Sequence, residues 1–281
     1  MISYKILAET SGQTLHQTFI EAFSDYQVKM DLPYWKFQQM LVRRGYDSGI
    51  SVGAFKDKTL VAFALTGVRC WNGKVTAYDI ATGVVPEYRR HGITSAMFVH
   101  IKNLLKEKQV EQYLLEVIKS NQPAVQLYQK QGFEVQRDFS CFQLRKDRFI
   151  PCQAWKVEKV NRIDFEQVKG FWDWEPSWQN SIASVEAVSE TFSYFVVKSD
   201  DAIMGYGIID EKTGDIPQLA INRDNRGRGI ARSIMTAMVK STEMEKISMV
   251  NVENRSERLK NFLIQCGFEY HVDQFEMLLK L

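Results

Sequence analysis

Apolar residues recur at helical spacing in two stretches of the first half of the chain. Residues 93–108 place apolar side chains three or four positions apart, at Ile93, Met97, Ile101, Leu104 and Leu105. This spacing aligns them on one helix face. Residues 122–131 have Pro123 in their first turn and Gly132 after their end. Because these are typical helix boundary residues, both stretches are predicted to be helices.

Strand patterns surround the two helices. Residues 50–64 alternate apolar and other positions on both sides of a turn at 56–58, which is typical of two paired strands. Residues 75–85 are rich in β-branched and aromatic side chains and predict a long strand. A further strand is predicted at 112–118. The alternation of strands and helices predicts an α/β fold with a mixed sheet flanked by helices.

The chain also contains an internal repeat. Residues 115–133 align without a gap with residues 250–268, and both stretches end in Gly-Phe. Upstream, residues 89–94 match residues 226–231. The unit is far longer than a solenoid repeat, so it indicates a duplicated domain. We expect the boundary between residues 145 and 155, which gives domains at 1–148 and 149–281.

Composition and charge limit the classes of function. The 281 residues carry 45% apolar and 25% charged residues and a formal net charge of +2, which is ordinary for a globular protein and disfavours nucleic acid as a partner. The four cysteines and four histidines lie far apart, so we expect free thiols and no metal site. No apolar run reaches the ~20 residues that span a membrane, and no signal peptide is evident, so a cytoplasmic protein without membrane attachment is expected.

The segment between the long strand and the first helix has the composition of an anion site. Unpaired N–H groups at a helix N-terminus attract anions, and Gly92 lets a phosphate approach the backbone. The candidate ligand-binding residues of the loop are Arg89, Arg90, His91, Gly92, Ile93 and Thr94 in the first copy, and Arg226, Gly227, Arg228, Gly229, Ile230 and Ala231 in the second. The alternative is an ordinary strand-to-helix turn with solvated arginines. Because the basic, glycine-bearing turn recurs in both copies, an anion site is favoured over an ordinary turn.

These segments resemble motif A of the GCN5-related N-acetyltransferases, Gln/Arg-x-x-Gly-x-Gly/Ala. Arg226, Gly229 and Ala231 match it fully; in the first copy Arg89 and Gly92 match, and Thr94 departs from it. The run from Asn121 through Ala124 and Tyr128 to Gly132-Phe133 resembles motif B of the same family. The resemblance covers nearly the whole chain and identifies it as two tandem domains of this family.

The resemblance implies an N-acetyltransferase that moves an acetyl group from acetyl-CoA, its cosubstrate, to an amine of a small molecule or peptide. It places the diphosphate on the N–H groups of residues 90–94. The pantetheine arm lies between residues 80–85 and 114–117, with backbone contacts to Val84 and Val85, and Asn121 belongs to the cofactor site. A monomer or a homodimer is expected.

The resemblance also assigns Tyr128 as the general acid that protonates the leaving thiolate. A phenol with a pKa near ~10 keeps its proton at neutral pH and can give it to a thiolate. The alternative is a helix tyrosine packed in the core. The aligned position in the second copy is Leu263, which cannot donate a proton.

Three roles for the second copy follow from this difference. In the first, the second copy is a scaffold that binds CoA without catalysis. In the second, its loop is a structural remnant. In the third, it is the active copy and uses another proton donor. A regulatory protein that holds CoA in both copies without turnover is a further alternative.

The general base and the acceptor site are less defined by the sequence. Asp79 and Glu116 lie on the strands nearest the expected thioester and are the candidate catalytic bases. The alternatives are a solvated strand carboxylate for Asp79 and an ion pair for Glu116, and a chain of waters can also carry the proton away. In the family the acceptor groove is formed by the first helices, here residues 19–44. For the tryptophan-rich run 171–178, packing in a core or an interface is favoured over lining a pocket.

Overall fold

The structure is a computed structural model that describes residues 1–26, 32–200 and 202–281. It divides into two compact units. The first comprises residues 1–136 together with residues 276–281, and the second comprises residues 137–275. This division follows packing, whereas the boundary near residue 148 concerns the sequence repeat and stays a prediction.

The first unit is built on a mixed sheet. Its elements are β1 (Ile2–Ile6), α1 (Gly12–Ala22), α2 (Tyr34–Arg44), β2 (Val52–Lys56), β3 (Thr59–Trp71), β4 (Lys74–Val84), α3 (Ile93–Glu107), β5 (Gln112–Ile118) and α4 (Gln122–Lys130), followed by the first residues of β6 (Glu134–Arg145). Strands β1 to β4 pair antiparallel in sequence order, and β5 pairs parallel with β4. Residues 276–281 continue this sheet beside β5, where the Leu281 N–H donates to the Glu111 carbonyl.

Helices cover both faces of this sheet. On one face, Phe19 of α1 stacks on Phe63 of β3 with ring centroids 5.8 Å apart. On the other, Phe98 of α3 contacts Tyr113 of β5, and Tyr113 donates to or accepts from Thr66 of β3. Phe63 and Thr66 point to opposite faces because they are an odd number of residues apart on one strand. The sheet is therefore buried on both sides.

The second unit repeats the plan. Its further elements are β7 (Glu158–Val160), α5 (Phe165–Val168), α6 (Ile182–Glu186), β8 (Phe192–Ser199), β9 (Ala202–Asp210), β10 (Asp215–Ile221), α7 (Ile230–Ser241), β11 (Lys246–Glu253), α8 (Glu257–Gln265) and β12 (Glu269–Lys280). Within it the strand order is β12-β6-β11-β10-β9-β8-β7. One buried cluster joins α7 and α8 to the sheet, and a second joins α5, α6 and the tryptophan-rich run to it.

The helices and strands predicted from the sequence agree closely with these bounds. The predicted helix at 93–108 is α3, the predicted strand at 112–118 is β5, and the helix at 122–131 is α4. Asn121 and Pro123 explain the start of α4, because the Asn121 side chain accepts from the Ala124 N–H and the proline lies in the first turn. The mixed α/β sheet flanked by helices is confirmed.

The end of α2 lies unusually close to β3, and this contact requires glycine. Tyr46, two residues after α2, forms an isolated antiparallel bridge with Gly67. A Cβ at Gly67 would overlap the Arg44 carbonyl and lie 2.8 Å from the Gly45 carbonyl oxygen. The missing side chain therefore sets how closely α2 approaches the sheet.

We expect Gly67→Ala to lower the free energy of unfolding by about 1–3 kcal/mol, the usual cost of overpacking a site that backbone atoms enclose. Denaturant unfolding followed by circular dichroism measures the change. Gly170→Ala is the matched control, since none of the described residues lies within 4 Å of the added methyl group. Equal stability of the two variants would contradict this account of Gly67.

Candidate functional site

Two neighbouring parallel strands separate in the first unit. Strand β4 pairs with β5 from Thr76 to Asp79, and no ladder partner joins them beyond that point although both strands continue among the described residues. A β-bulge coincides with the separation. Leu65 pairs with Ala81 and Thr66 with Asp79, so Ile80 is the extra residue. A bulge bends its strand and leaves the extra residue outside the ladder. The result is a wedge that widens toward Val84.

The second unit contains the same wedge. The ladder of β10 with β9 shifts between Asp215 and Gln218, and β10 pairs with β11 at Asp215 and Ser248 alone among the described residues. Strand β10 then continues to Ile221 without β11 as a ladder partner. Counting back from the aligned loops, Pro217 takes the place of Ile80. Both copies therefore diverge at an equivalent bulge.

The predicted anion loops follow these strands with matching backbone paths. Each has a short 3₁₀ turn, at Pro86–Tyr88 or Arg223–Asn225, and then a helix that begins directly after a left-handed glycine. Gly92 has φ of 74° and Gly229 has φ of 80°. Another left-handed residue lies two positions earlier, Arg90 in one copy and Gly227 in the other. Arg90 thus adopts a conformation that favours glycine.

The loops leave space in front of their backbone. Among the described residues, no atom lies within 4 Å of a Cβ built on Gly92 or on Gly227. The first helical residues, Ile93 and Ile230, turn their side chains into the core, where each is at most 4% exposed. What these loops can offer an anion is therefore their backbone N–H groups together with the exposed side chains around them.

The arginine that begins each loop makes structural contacts that the sequence did not reveal. Arg89 donates to the carbonyls of Val84 (3.1 Å) and Ala22 (2.9 Å) and pairs with Asp25 at 2.6 Å, and this pairing lowers the pKa of the Asp25 carboxyl. Arg226 makes the same set of bonds, to Ile221 O (3.1 Å), Phe171 O (2.7 Å) and Asp173 (2.7 Å). Each guanidinium ties its loop to a preceding segment, and direct binding of a ligand by either arginine stays a prediction.

Two other predicted contacts are limited by existing bonds. The Val85 N–H donates to the Val61 carbonyl, and the Val84 carbonyl accepts from Arg89. His91 Nδ1 lies 3.3 Å from the Tyr88 carbonyl oxygen, within the loop itself. Asn121 caps α4. Residues 84–94 thus follow strand β4 and Asn121 follows strand β5, the two strands that form the wedge, while their contacts with a ligand stay predictions.

Tyr128 and Asp79 form a buried pair where the first wedge opens. The Tyr128 hydroxyl donates to Asp79 Oδ2 at 3.3 Å, and Thr82 Oγ1 donates to the same oxygen at 2.9 Å. Asp79 is 6% and Tyr128 is 8% exposed. Burial raises the pKa of Asp79 to about 7, although both hydrogen bonds oppose the shift. Burial and then the nearby Asp79 charge raise the pKa of Tyr128 well above its usual value, so the phenol keeps its proton.

The second copy lacks this pair. Leu263 replaces Tyr128, and Ile216 replaces Asp79 by the register of the aligned loops. Both residues are fully buried in the apolar cluster of that unit. A polar pair in one copy is therefore matched by an apolar pair in the other. This fits two side chains that are hydrogen-bond partners, because a buried polar group without its partner would be costly.

Two further polar residues, Arg44 and Tyr78, lie near β4 beside the bulge. Arg44 at the end of α2 donates to the carbonyl of the bulged Ile80 at 3.1 Å. Burial, followed by the charge of Glu116, raises the pKa of Tyr78 well above its usual value. Of these residues, Arg44 lies within the acceptor region 19–44 expected from the sequence. Residues 27–31 of that region lie outside the described residues.

A cavity of about 740 Å³ lies in the second wedge. It reaches from the loop around Gly227 and Gly229 to the ends of β10 and β11. Trp172 and Trp174 line it, whereas Trp178 is fully buried in the core. The sequence favoured packing for the whole tryptophan-rich run, and the structure assigns that role to Trp178 but places the other two at a cavity.

Residues 1–26, 32–200 and 202–281 contain no group of three metal-ligating side chains. Over the same ranges, no helix has the length and apolar character needed to cross a membrane.

Comparisons with known proteins agree with this geometry. Residues 13–133 match the acetyltransferase (GNAT) family, and residues 165–277 match a second acetyltransferase (GNAT) domain. No curated protein sequence matches the chain. The two domain matches together show that the chain belongs to the GCN5-related N-acetyltransferase (GNAT) family of enzymes. It carries two GNAT domains in tandem, and this family uses acyl-CoA donors and amine acceptors.

Solved structures share the fold over the full length. A GCN5-related N-acetyltransferase from Sphaerobacter thermophilus superposes with a TM-score of 0.73 at 15% identity, covering 99% of this chain and 95% of the other. A tandem GNAT protein from the clavulanic acid biosynthesis pathway gives 0.75 at 14% identity, covering 100% and 98%. A GCN5-related N-acetyltransferase from Anabaena variabilis gives 0.59 at 16% identity, covering 99% and 72%. At these identities the likeness establishes the fold alone.

The raised pKa of Asp79 predicts a pH-dependent stability. The folded chain holds a proton that the unfolded chain releases between about pH 4 and 7, so Asp79 lowers the free energy of unfolding as the pH rises through this window. Asp79→Asn removes this loss. We expect the stability of Asp79→Asn relative to the native chain to increase by about 2–3 kcal/mol between pH 5 and pH 7.

Urea unfolding at several pH values measures this difference. Asp147→Asn is the control, because Arg145 lowers the pKa of the exposed Asp147 and keeps it ionised throughout the window. Parallel pH curves for Asp79→Asn and the native chain would contradict the shift assigned to Asp79.

Proposed function

We propose that this chain transfers an acetyl group from acetyl-CoA to an amine of a small molecule or peptide, and that the first copy performs the transfer. The observation that carries the proposal is the buried Tyr128–Asp79 pair. The Tyr128 hydroxyl oxygen lies 3.3 Å from Oδ2 of Asp79, and Asp79 is the last residue of β4 that pairs with β5 before the wedge opens. A protonated phenol at this position is suited to donate its proton to the leaving thiolate.

The donor lies along the wedge. The backbone N–H groups of residues 90–94 hold its diphosphate at the start of α3, where the helix dipole also favours negative charge. The diverging strands β4 and β5 take up the pantetheine arm between them. The N–H of the bulged Ile80 lies outside the ladder and serves the oxygen of the thioester carbonyl as negative charge develops on it.

The transfer itself needs one new bond and one broken bond. The neutral amine nitrogen attacks the thioester carbon, the C–N bond forms and the C–S bond breaks. Tyr128 gives its proton to the departing sulfur, and the proton of the amine passes to water. Asp79, with a pKa of about 7, is protonated in a large fraction of molecules at neutral pH; it returns a proton to the Tyr128 oxygen and regains one from water before the next turnover.

Asp79 thus acts through Tyr128 and does not serve as the base for the amine. Its carboxylate is buried against Tyr128 and Thr82, which leaves it no direct path to an acceptor. Waters at the open end of the wedge suffice to remove the amine proton.

The alternative, in which the second copy performs the transfer, has a complete motif A and a cavity in its favour. It lacks a proton donor at the position of Tyr128, because Leu263 is apolar. Pro217 also stands at the bulge and has no N–H to offer an oxyanion. These two residues favour the first copy.

Tyr128→Phe tests the proposal. We expect kcat for thiol release from acetyl-CoA, measured with a panel of amines, to fall by about 10²–10⁴-fold, the usual contribution of a general acid. The KM for acetyl-CoA should change little, because the phenol meets the sulfur as the bond breaks.

Tyr113→Phe is the matched control for this variant. It removes another buried tyrosine hydroxyl from the same core, one that bonds to Thr66 and does not contact Asp79 or Tyr128 by hydrogen bonding. We expect it to retain most of the turnover. If Tyr128→Phe is as active as Tyr113→Phe, Tyr128 is not the acid.

A further inference from the structure

The hairpin between β3 and β4 is closed by two residues. Trp71, the last residue of β3, pairs with Lys74, the first residue of β4, so the loop consists of Asn72 and Gly73. Asn72 has φ of 51° and Gly73 has φ of 76°. Positive φ at both central residues is characteristic of a type I′ turn, for which Asn-Gly is a preferred sequence. The hairpin geometry therefore accounts for this residue pair.

The turn is open to solvent. Asn72 and Gly73 are both exposed, and no described atom lies within 4 Å of a Cβ built on Gly73. The flanking residues Trp71 and Lys74 make the ladder bonds of a two-residue hairpin, which leaves the Gly73 N–H outside the ladder. Water thus has access to the Asn72 carboxamide and to the backbone nitrogen that follows it.

An exposed Asn-Gly pair can react with itself. The Gly73 nitrogen loses its proton to water or hydroxide and attacks Cγ of Asn72. The new C–N bond closes a succinimide ring, and the bond from Cγ to the side-chain nitrogen breaks, so that ammonia leaves. Water then opens the ring at either carbonyl and gives an aspartate or an isoaspartate at position 72. Glycine favours the attack because it has no Cβ beside the nitrogen.

The other asparagines of the chain are less suited to this reaction. Asn72 alone among them precedes a glycine. Asn180 is the nearest comparison, because the small Ser181 follows it. Asn180 is 3% exposed, its Nδ2 donates to the Val250 carbonyl at 2.8 Å, and the Ser181 N–H donates to the Trp178 carbonyl at 3.3 Å. Both reacting groups of that pair are therefore held in hydrogen bonds away from water.

An isoaspartate at position 72 changes the backbone of the turn, because the chain then runs through the side chain and gains a methylene group. A two-residue type I′ turn leaves no slack for it, so we expect the Trp71–Lys74 pair to open. Val75 is held next to it, since it donates to Glu111 Oε1 at 3.0 Å and accepts from the Glu111 N–H at 2.9 Å. We expect the disturbance to end there, with faster hydrogen exchange at residues 71–74 and unchanged exchange at 78–84.

We propose that Asn72 is a site of spontaneous deamidation in the folded protein, and that the fold leaves it reactive while it protects Asn180. The reaction consumes one water molecule, releases one ammonia and adds one negative charge to a chain with a formal net charge of +2. It goes beyond the proposed function and does not depend on acetyl transfer.

Peptide mass spectrometry of the native chain, incubated at mildly alkaline pH, measures deamidation at each asparagine. We expect Asn72 to react about a hundredfold faster than Asn180. An isoaspartyl methyltransferase with labelled S-adenosylmethionine detects the isoaspartate, and the label should lie in the peptide that contains position 72. Asn72→Gln should lose this label, because its longer side chain has to close a larger ring. Asn161→Gln is the matched control, since it replaces an exposed asparagine that precedes an arginine and should keep the label.

Unfolding separates the effect of the fold from that of the sequence. In urea the hydrogen bonds of Asn180 and Ser181 are lost, so we expect the ratio of the Asn72 rate to the Asn180 rate to fall about tenfold. Three results would overturn the proposal. They are an Asn72 that reacts no faster than Asn180 in the native chain, a ratio of rates that urea leaves unchanged, and an isoaspartate label that Asn72→Gln retains.

Discussion

The separation of two parallel strands at a β-bulge is the constraint on which both sites depend. Two hydrogen-bonded strands leave no room between them, so a ligand can enter the sheet only where the ladder ends. In the first unit that point is Asp79, and in the second it is Asp215. The helix that follows each strand begins directly after a left-handed glycine and has no side-chain cap on the N–H groups of its first turn. Sheet geometry thus makes the wedge and the anion loop a single structural device.

The two copies keep this backbone device and differ in the side chains placed on it. Arg89 and Arg226 fasten the loops through the same three kinds of bond, and the left-handed positions recur at Gly92 and Gly229. The reactive groups do not recur. The shape of the loops is set largely by the backbone, whereas the Tyr128–Asp79 pair consists of two side chains, so the two features can diverge separately in a duplicated domain.

The Tyr128–Asp79 pair carries a cost in stability. Asp79 is 6% exposed and has a pKa of about 7, so burial of its carboxyl group lowers the stability of the folded chain at neutral pH. Thr82 offsets part of that cost by donating to both carboxylate oxygens. The second copy removes it altogether with Ile216 and Leu263. Retention of the costly pair in one copy fits a functional demand there.

The sequence by itself determined the elements, the duplication and the family, because helical periodicity, strand alternation and glycine-bearing turns are local properties. It also singled out Tyr128 and the two glycine-bearing loops as candidates for the site. Tertiary structure alone decided that Tyr128 meets Asp79, that Arg89 and Arg226 serve as ties for the loops, and that Trp172 lines a cavity while Trp178 fills a core. Those outcomes depend on which residues distant in sequence the folded sheet brings within a few ångströms, and no local pattern records that distance.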